Sequence, residues 1–287
     1  MSIDLDRVAA IDFHVHAEIG RGGEDGLLPE WRDAAKRYFG GHALPTIDDV
    51  ATYYRERNMA AVVFAVDAET VTGRPAVPNE EIAEAARANS DVLIPFGSVD
   101  PHKQDAVDEA NRLIRDHGVR GFKLHPNVQA FFPNDETVYP LYEAIQSAGL
   151  PVLFHTGHSG IGSGLPGGGG IRLKYSNPIF VDDVAVDFPD LKIVLAHPSF
   201  PWQDEAISVA LHKQQVYIDL SGWSPKYFPP QLVQYANTLL RDRVLFGSDY
   251  PMITPDRWLA DFEQASFKDE VRPLILKQNA ARLLELT

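Results

Sequence analysis

Short apolar runs alternate with longer stretches in which apolar positions recur every three or four residues, and this alternation continues along most of the chain. The short runs have the pattern of buried strands, and the longer stretches that of helices packed on one face. Strands are predicted at 11–16, 61–66, 92–99, 119–125, 151–155, 192–197, 216–220 and 243–248. Val107, Ala110, Leu113 and Ile114 share one helical face, as do Val138, Leu141, Tyr142 and Ile145, and Gly118 and Gly149 end these two helices. Further helices are predicted at 31–39, 79–89, 177–188, 204–213 and 230–240, after Thr254-Pro255, and through Leu284. Thr46 followed by Asp49 has the form of a capping box, and Asp100-Pro101 that of a cap before a proline at the first helical position.

Eight strands, each followed by helix, with no compositional break between them, point to one α/β domain over residues 1–287. An open, doubly wound sheet has the same alternation as a closed barrel, so the polar residues that end the strands decide between them. The first run is Ile11-Asp12-Phe13-His14-Val15-His16. Later ones end in His155, His197 and Asp249. If the first and eighth strands serve one site they must be neighbours, yet an open sheet with strands ~4.8 Å apart would separate them by roughly 30 Å. Closure into a (β/α)8 TIM barrel brings them together and places all these residues at the C-terminal ends of the strands, where such barrels carry their active sites.

Composition narrows the chemistry. There are no cysteines, so a metal would be held by nitrogen and oxygen donors. A formal charge of −14 argues against a nucleic-acid or anionic-membrane surface and leaves room for a small anionic substrate in a local basic pocket. Residues 1–6 carry two aspartates and no apolar run, and no later stretch is long and apolar enough to span a membrane. These features describe a soluble, unprocessed protein in a cytoplasmic setting that acts on a small molecule, alone or as a homo-oligomer.

Side chains two apart on a strand share a face, so His14 and His16 are expected together, with Phe13 and Val15 opposite. Alone, an H-x-H is weak in a chain with ten histidines. It gains weight from Gly121-Phe122-Lys123-Leu124-His125-Pro126, Phe154-His155-Thr156-Gly157, Ala196-His197-Pro198 and Phe246-Gly247-Ser248-Asp249-Tyr250-Pro251, in that order. This set resembles the amidohydrolase superfamily, in particular the branch with aminocarboxymuconate-semialdehyde decarboxylase, related aromatic-acid decarboxylases and dicarboxylate lactonases. The resemblance implies one divalent cation surrounded by His14, His16, His155 and Asp249, with His197 as a polar catalytic group beside it. Neutral imidazoles and a carboxylate suit Zn²⁺, with Mn²⁺ as the alternative. Asp249 would then take a proton from water and pass it to the leaving group, and His197 would polarise a carbonyl or hold an oxyanion.

Phe122 and Leu124 should face the helices, which turns Lys123 and His125 into the barrel. Lys123 is read as a cation for an anionic substrate or an ion-pair partner, since the decarboxylase branch uses one metal without a lysine bridge. The glycine-rich connection 156–177 lacks a phosphate-loop ending and is read as a mobile substrate loop that brings His158 and Arg172 to the substrate. Trp223 and Tyr250 are expected to wall an organic substrate. The expected reaction is hydrolysis of an ester, lactone, amide or β-ketoacyl C–C bond. The alternative is metal-dependent, non-oxidative decarboxylation by the same residues, and a barrel that merely binds a ligand is disfavoured by the intact donor set.

Overall fold

The computed structural model describes residues 3–41 and 44–286. Met1 and Ser2 of the N-terminal segment, His42 and Ala43 of the first long connection, and Thr287 lie outside the described residues. Among the described residues eight strands follow one another: β1 (Ala10–His16), β2 (Met59–Phe64), β3 (Leu93–Pro95), β4 (Phe122–Leu124), β5 (Pro151–His155), β6 (Lys192–Ala196), β7 (Val216–Asp219) and β8 (Val244–Leu245). All pair in parallel, in the runs β1-β2-β3 and β4-β5-β6-β7-β8. Single bridges join the runs at two seams, Gly97 to Phe122 and Val15 to Tyr250. The first seam carries hydrogen bonds from Gly97 N to Gly121 O (2.9 Å) and from Lys123 N to Gly97 O (2.8 Å). Across the second, Phe13 N donates to Phe246 O (2.9 Å) and Asp249 N to His14 O (3.0 Å). The sheet is thereby closed, with helices outside it, and this is the (β/α)8 barrel.

The core has two layers, as the alternation of strand side chains requires. Val152, Phe154, Ile193, Leu195, Val216 and Ile218 face the helices. Ile11, Phe13, Val62, Phe96, Leu153 and Val194 fill the barrel interior, where Phe13 meets Phe96 edge to face at 5.6 Å. Burying each of these large apolar side chains contributes about 1.5–3 kcal/mol, enough for the interior packing to form a rigid floor beneath the polar strand ends.

The capping box is present at helix Ile47–Glu56, where Asp49 N donates to Thr46 Oγ1 (3.3 Å) and Thr46 N to Asp49 Oδ2 (3.0 Å). The helix expected at Asp100-Pro101 begins later, as Ala106–Arg112. Asp100 instead accepts hydrogen bonds from Thr70 N (2.7 Å) and His102 N (3.0 Å), a local arrangement that competes with helix initiation. The runs at 92–99, 119–125 and 243–248 shrink to two or three paired residues in β3, β4 and β8, which border the two seams.

Strand β1 departs from simple alternation. Its register against β2 slips between Asp12 and Val15, a bulge that turns both Phe13 and His14 inward. Phe13 and Val15 therefore do not share a face as expected. Phe13 packs in the barrel interior, and Val15 packs under the helices.

Candidate metal centre and active site

The strand ends converge on one polar cluster. His14 Nε2 lies 3.3 Å and His16 Nε2 3.2 Å from the same oxygen, Asp249 Oδ1. Donor atoms that share one ion at bonds of about 2 Å must sit this close to one another. The donor atoms of His14, His197 and Asp249 also lie within 4.8 Å of one another, so these three residues could hold a metal ion. His155 stands one imidazole further away, its Nδ1 3.0 Å from His197 Nε2. Its Nε2 is buried and has no hydrogen-bond partner. Imidazole nitrogens gathered around one carboxylate oxygen, with a buried, unpartnered ring nitrogen on His155, form a donor set that fits a divalent cation.

The backbone is bent to present these groups. His197 and Asp249 both have left-handed φ, 72° and 71°, a conformation that costs a non-glycine residue about 1–2 kcal/mol and clusters at functional sites. Gly222, with φ +73°, makes room for the His197 ring, since a Cβ there would lie 2.6 Å from His197 Nδ1.

Burial keeps His14, His125, His155 and His197 neutral. Burial pulls His14, His125 and His155 well below the usual histidine range, assisted by Lys123 and by the neighbouring histidines. Burial likewise pulls His197 down to about 4. Neutral rings keep a lone pair for a metal or a proton. For Asp249 burial opposes ionisation, but the hydrogen bond with His16 and the positive charge of Lys123 outweigh it and lower the carboxyl below its usual range. Burial lowers the Lys123 ammonium, against the upward pull of Asp249 and Asp219.

Lys123 is fully buried, with Nζ 3.2 Å from His14 Nε2, and so belongs to the floor of the cluster. His125 lies flat on His155, ring centroids 3.9 Å apart, and its Nδ1 is buried without a partner. Above the floor opens a pocket of about 390 Å³, the size that suits a small organic molecule. His16, His125, His155, His197 and Asp249 reach into it, and Tyr38, Trp223, Tyr227 and His158 are among its walls.

Two of the expected substrate contacts are not brought there. Arg172 is exposed and does not line the pocket. Tyr250 stacks on Tyr53 at 4.8 Å and also does not line it. The connection 156–177 is closed at its base by Gly157 N to Ser176 O (2.7 Å) and tied to Trp31, whose Nε1 donates to Gly169 O (2.9 Å). Gly167, Gly168 and Gly169 follow one another at φ near +60°, a left-handed turn that only glycine adopts without strain. These glycines thus give the loop a shape, where the sequence suggested only freedom.

Two residues escaped the sequence reading. Asp219 Oδ2 lies 2.6 Å from His14 Nδ1, and Ser221 Oγ lies 2.9 Å from both His14 Nδ1 and His197 Nδ1. A signal was present, since Val216-Tyr217-Ile218-Asp219 is one more apolar run that ends in a metal-type side chain.

The family model described as "Amidohydrolase" matches residues 11–286. No curated protein matches the chain. Among solved structures, the chain is similar to an uncharacterized TIM-barrel protein, Bb4693, from Bordetella bronchiseptica, at 25% identity and a TM-score of 0.79, covering 96% of this chain and 98% of that one. A dihydroxybenzoic acid decarboxylase from Polaromonas sp. JS666, with bound manganese and the inhibitor 2-nitroresorcinol, is 18% identical with a TM-score of 0.66, covering 97% of each chain. A probable 2-pyrone-4,6-dicarboxylic acid hydrolase from Acinetobacter baumannii is 16% identical with a TM-score of 0.62, covering 96% of this chain and 99% of that one.

Proposed function

Since the chain belongs to the amidohydrolase family, we propose that it is a metal-dependent hydrolase of a small organic substrate, aromatic or carboxylate-bearing, that uses one Zn²⁺ held by His14, His16, His155 and Asp249. The observation that carries this reading is the convergence of His14 Nε2 and His16 Nε2 on Asp249 Oδ1, within 3.3 Å, at the floor of the pocket. Zinc bound there would act as a Lewis acid and lower the pKa of water to about 7.

The chain's own residues supply the rest. Asp249, ionised at neutral pH, accepts a proton at its carboxylate and returns it to the leaving group. Neutral His197 lines the pocket, with Ser221 Oγ at its Nδ1 and His155 Nδ1 at its Nε2, and an Nε2–H turned from His155 to the substrate would hold the carbonyl oxygen where charge develops. Lys123 keeps positive charge beneath these anions, and His125 offers its unpartnered Nδ1 to the substrate. Trp223, Tyr227 and Tyr38 supply apolar walls that hold an organic body and exclude water. A cytoplasmic setting is part of the same reading.

The second reading, non-oxidative decarboxylation, is favoured by the likeness to the manganese-bound decarboxylase. In it Asp249 would protonate the carbon that CO₂ leaves. Isotope labelling separates the two. The metal-loaded protein is incubated in ¹⁸O-water with lactones, acyl thioesters and hydroxybenzoates, and products are read by mass spectrometry. Label in a new carboxylate supports hydrolysis, whereas CO₂ release with an organic product that has lost its carboxyl group and carries no label establishes decarboxylation and overturns the first reading.

A further inference from the structure

Asp12 takes no part in the chemistry described above, yet it is fully buried on β1, two residues before His14, and reaches across to the turn after β8 that carries Asp249. Its Oδ1 accepts hydrogen bonds from the backbone N–H groups of His14 (3.1 Å) and Ser248 (2.9 Å). Its Oδ2 accepts from the hydroxyls of Tyr54 (2.7 Å) and Ser248. No lysine or arginine is among its partners, so four uncharged donors hold this buried charge. A buried carboxylate without a counter-ion opposes folding, and its retention calls for something an apolar side chain could not do.

The β1 bulge shows what that is. By turning Phe13 and His14 both inward, the bulge takes the His14 N–H out of the sheet ladder, and a buried N–H without a partner is destabilising. Asp12 Oδ1 receives that N–H and, with the same atom, the N–H of Ser248, the residue before Asp249. Asp249 holds its left-handed φ of 71° next to this contact, and its own N–H returns to His14 O at 3.0 Å. One carboxylate oxygen thus ties the backbone of His14 to that of the Ser248-Asp249 turn across a seam.

We propose that Asp12 is a positioning residue of the metal centre, whose buried carboxylate fixes the separation of His14 and Asp249 by holding the backbone on both sides of the β1–β8 seam. This rests on the reading of His14 and Asp249 as metal ligands. The test combines zinc affinity, measured by competition with a chromogenic chelator, and hydrogen exchange of the His14 and Ser248 amides in metal-free protein. In Asp12→Asn the remaining oxygen can accept both N–H groups, while the new amide donates to the hydroxyls of Tyr54 and Ser248. This variant should keep the zinc Kd within about threefold of wild type.

Asp12→Ala should raise the Kd by 10- to 100-fold, the usual effect of removing a group that orients ligands, and speed exchange of both amides at least tenfold. Asp12→Glu keeps the charge on a longer arm that misplaces the oxygen, and should also raise the Kd at least tenfold. It carries the test if the alanine variant does not fold. Tyr54→Phe, which removes a donor on the helix side only, should lower Tm and leave the zinc Kd unchanged. A Kd within threefold of wild type in the folded alanine or glutamate variant overturns the proposal, as does unchanged amide exchange. A wild type that binds no zinc overturns the metal reading and this role with it, and the exchange measurement still shows whether Asp12 holds the seam.

Discussion

Asp219 Oδ2 and His14 Nδ1 stand 2.6 Å apart, both side chains wholly out of solvent. Burial pushes the Asp219 carboxyl up to about 8, and once ionised it holds the ring proton on Nδ1, which turns the Nε2 lone pair toward Asp249 and the pocket floor. Replacing Asp219 with alanine frees the ring to take the other tautomer. The zinc Kd should rise about 10- to 100-fold, read by competition titration. An unchanged Kd would mean that Ser221 alone orients His14.

His197 and His14 should separate by role. His197→Asn is expected to lower turnover by roughly 10²-fold or more and to leave metal content near wild type, whereas His14→Asn should lose both. Metal content is measured by emission spectroscopy on dialysed protein. Equal loss in the two variants would make His197 a ligand, an arrangement the 4.8 Å cluster of His14, His197 and Asp249 permits.

Gly222→Ala introduces a methyl group 2.6 Å from His197 Nδ1, at a residue with φ +73°. The ring has to move, and misplacement by about 1 Å can cost about 10²-fold in rate. We expect kcat to fall by one to two orders of magnitude with only a few degrees lost in Tm, measured by steady-state kinetics and calorimetry. Full activity in this variant would show that the position of His197 is not critical.

Gly168→Ala tests the loop. No atom lies within 4 Å of the position a Cβ would take, so any effect comes from the backbone, held at φ +64°. The loss should be about 1–2 kcal/mol of loop stability, seen as faster proteolysis of segment 156–177. Deleting 167–170 should lower kcat/KM more than Tm if the loop closes over substrate. If kcat/KM, Tm and metal content all stay near wild type, the loop is no lid.

Much of this architecture is legible in the amino-acid order because strand period and helix period differ. The alternation predicts the eight strands, and the polar residues ending β1 and β5, with His197 after β6 and Asp249 after β8, mark the site. What escaped depends on non-local packing. The bulge that turns Phe13 inward follows from how β1 meets β2 and β8, which no local pattern encodes. Asp219 looks like an ordinary strand-end acid until the barrel sets it against His14, 205 positions away in sequence. Arg172 was placed at the substrate by its position in a glycine-rich loop, but the course of that loop is set by a left-handed turn that composition does not reveal.

The seam between β1 and β8 also sets an order of assembly. His14 and His16 leave the ribosome long before their carboxylate partner Asp249, which emerges only after all eight strands have been made. Until then the two imidazoles have no site to complete, and an apolar strand edge is left open to other chains. The last seam to zip up is therefore also the one that switches on the chemistry, so a stalled or clipped chain lacking the final strand would be catalytically silent and prone to aggregate.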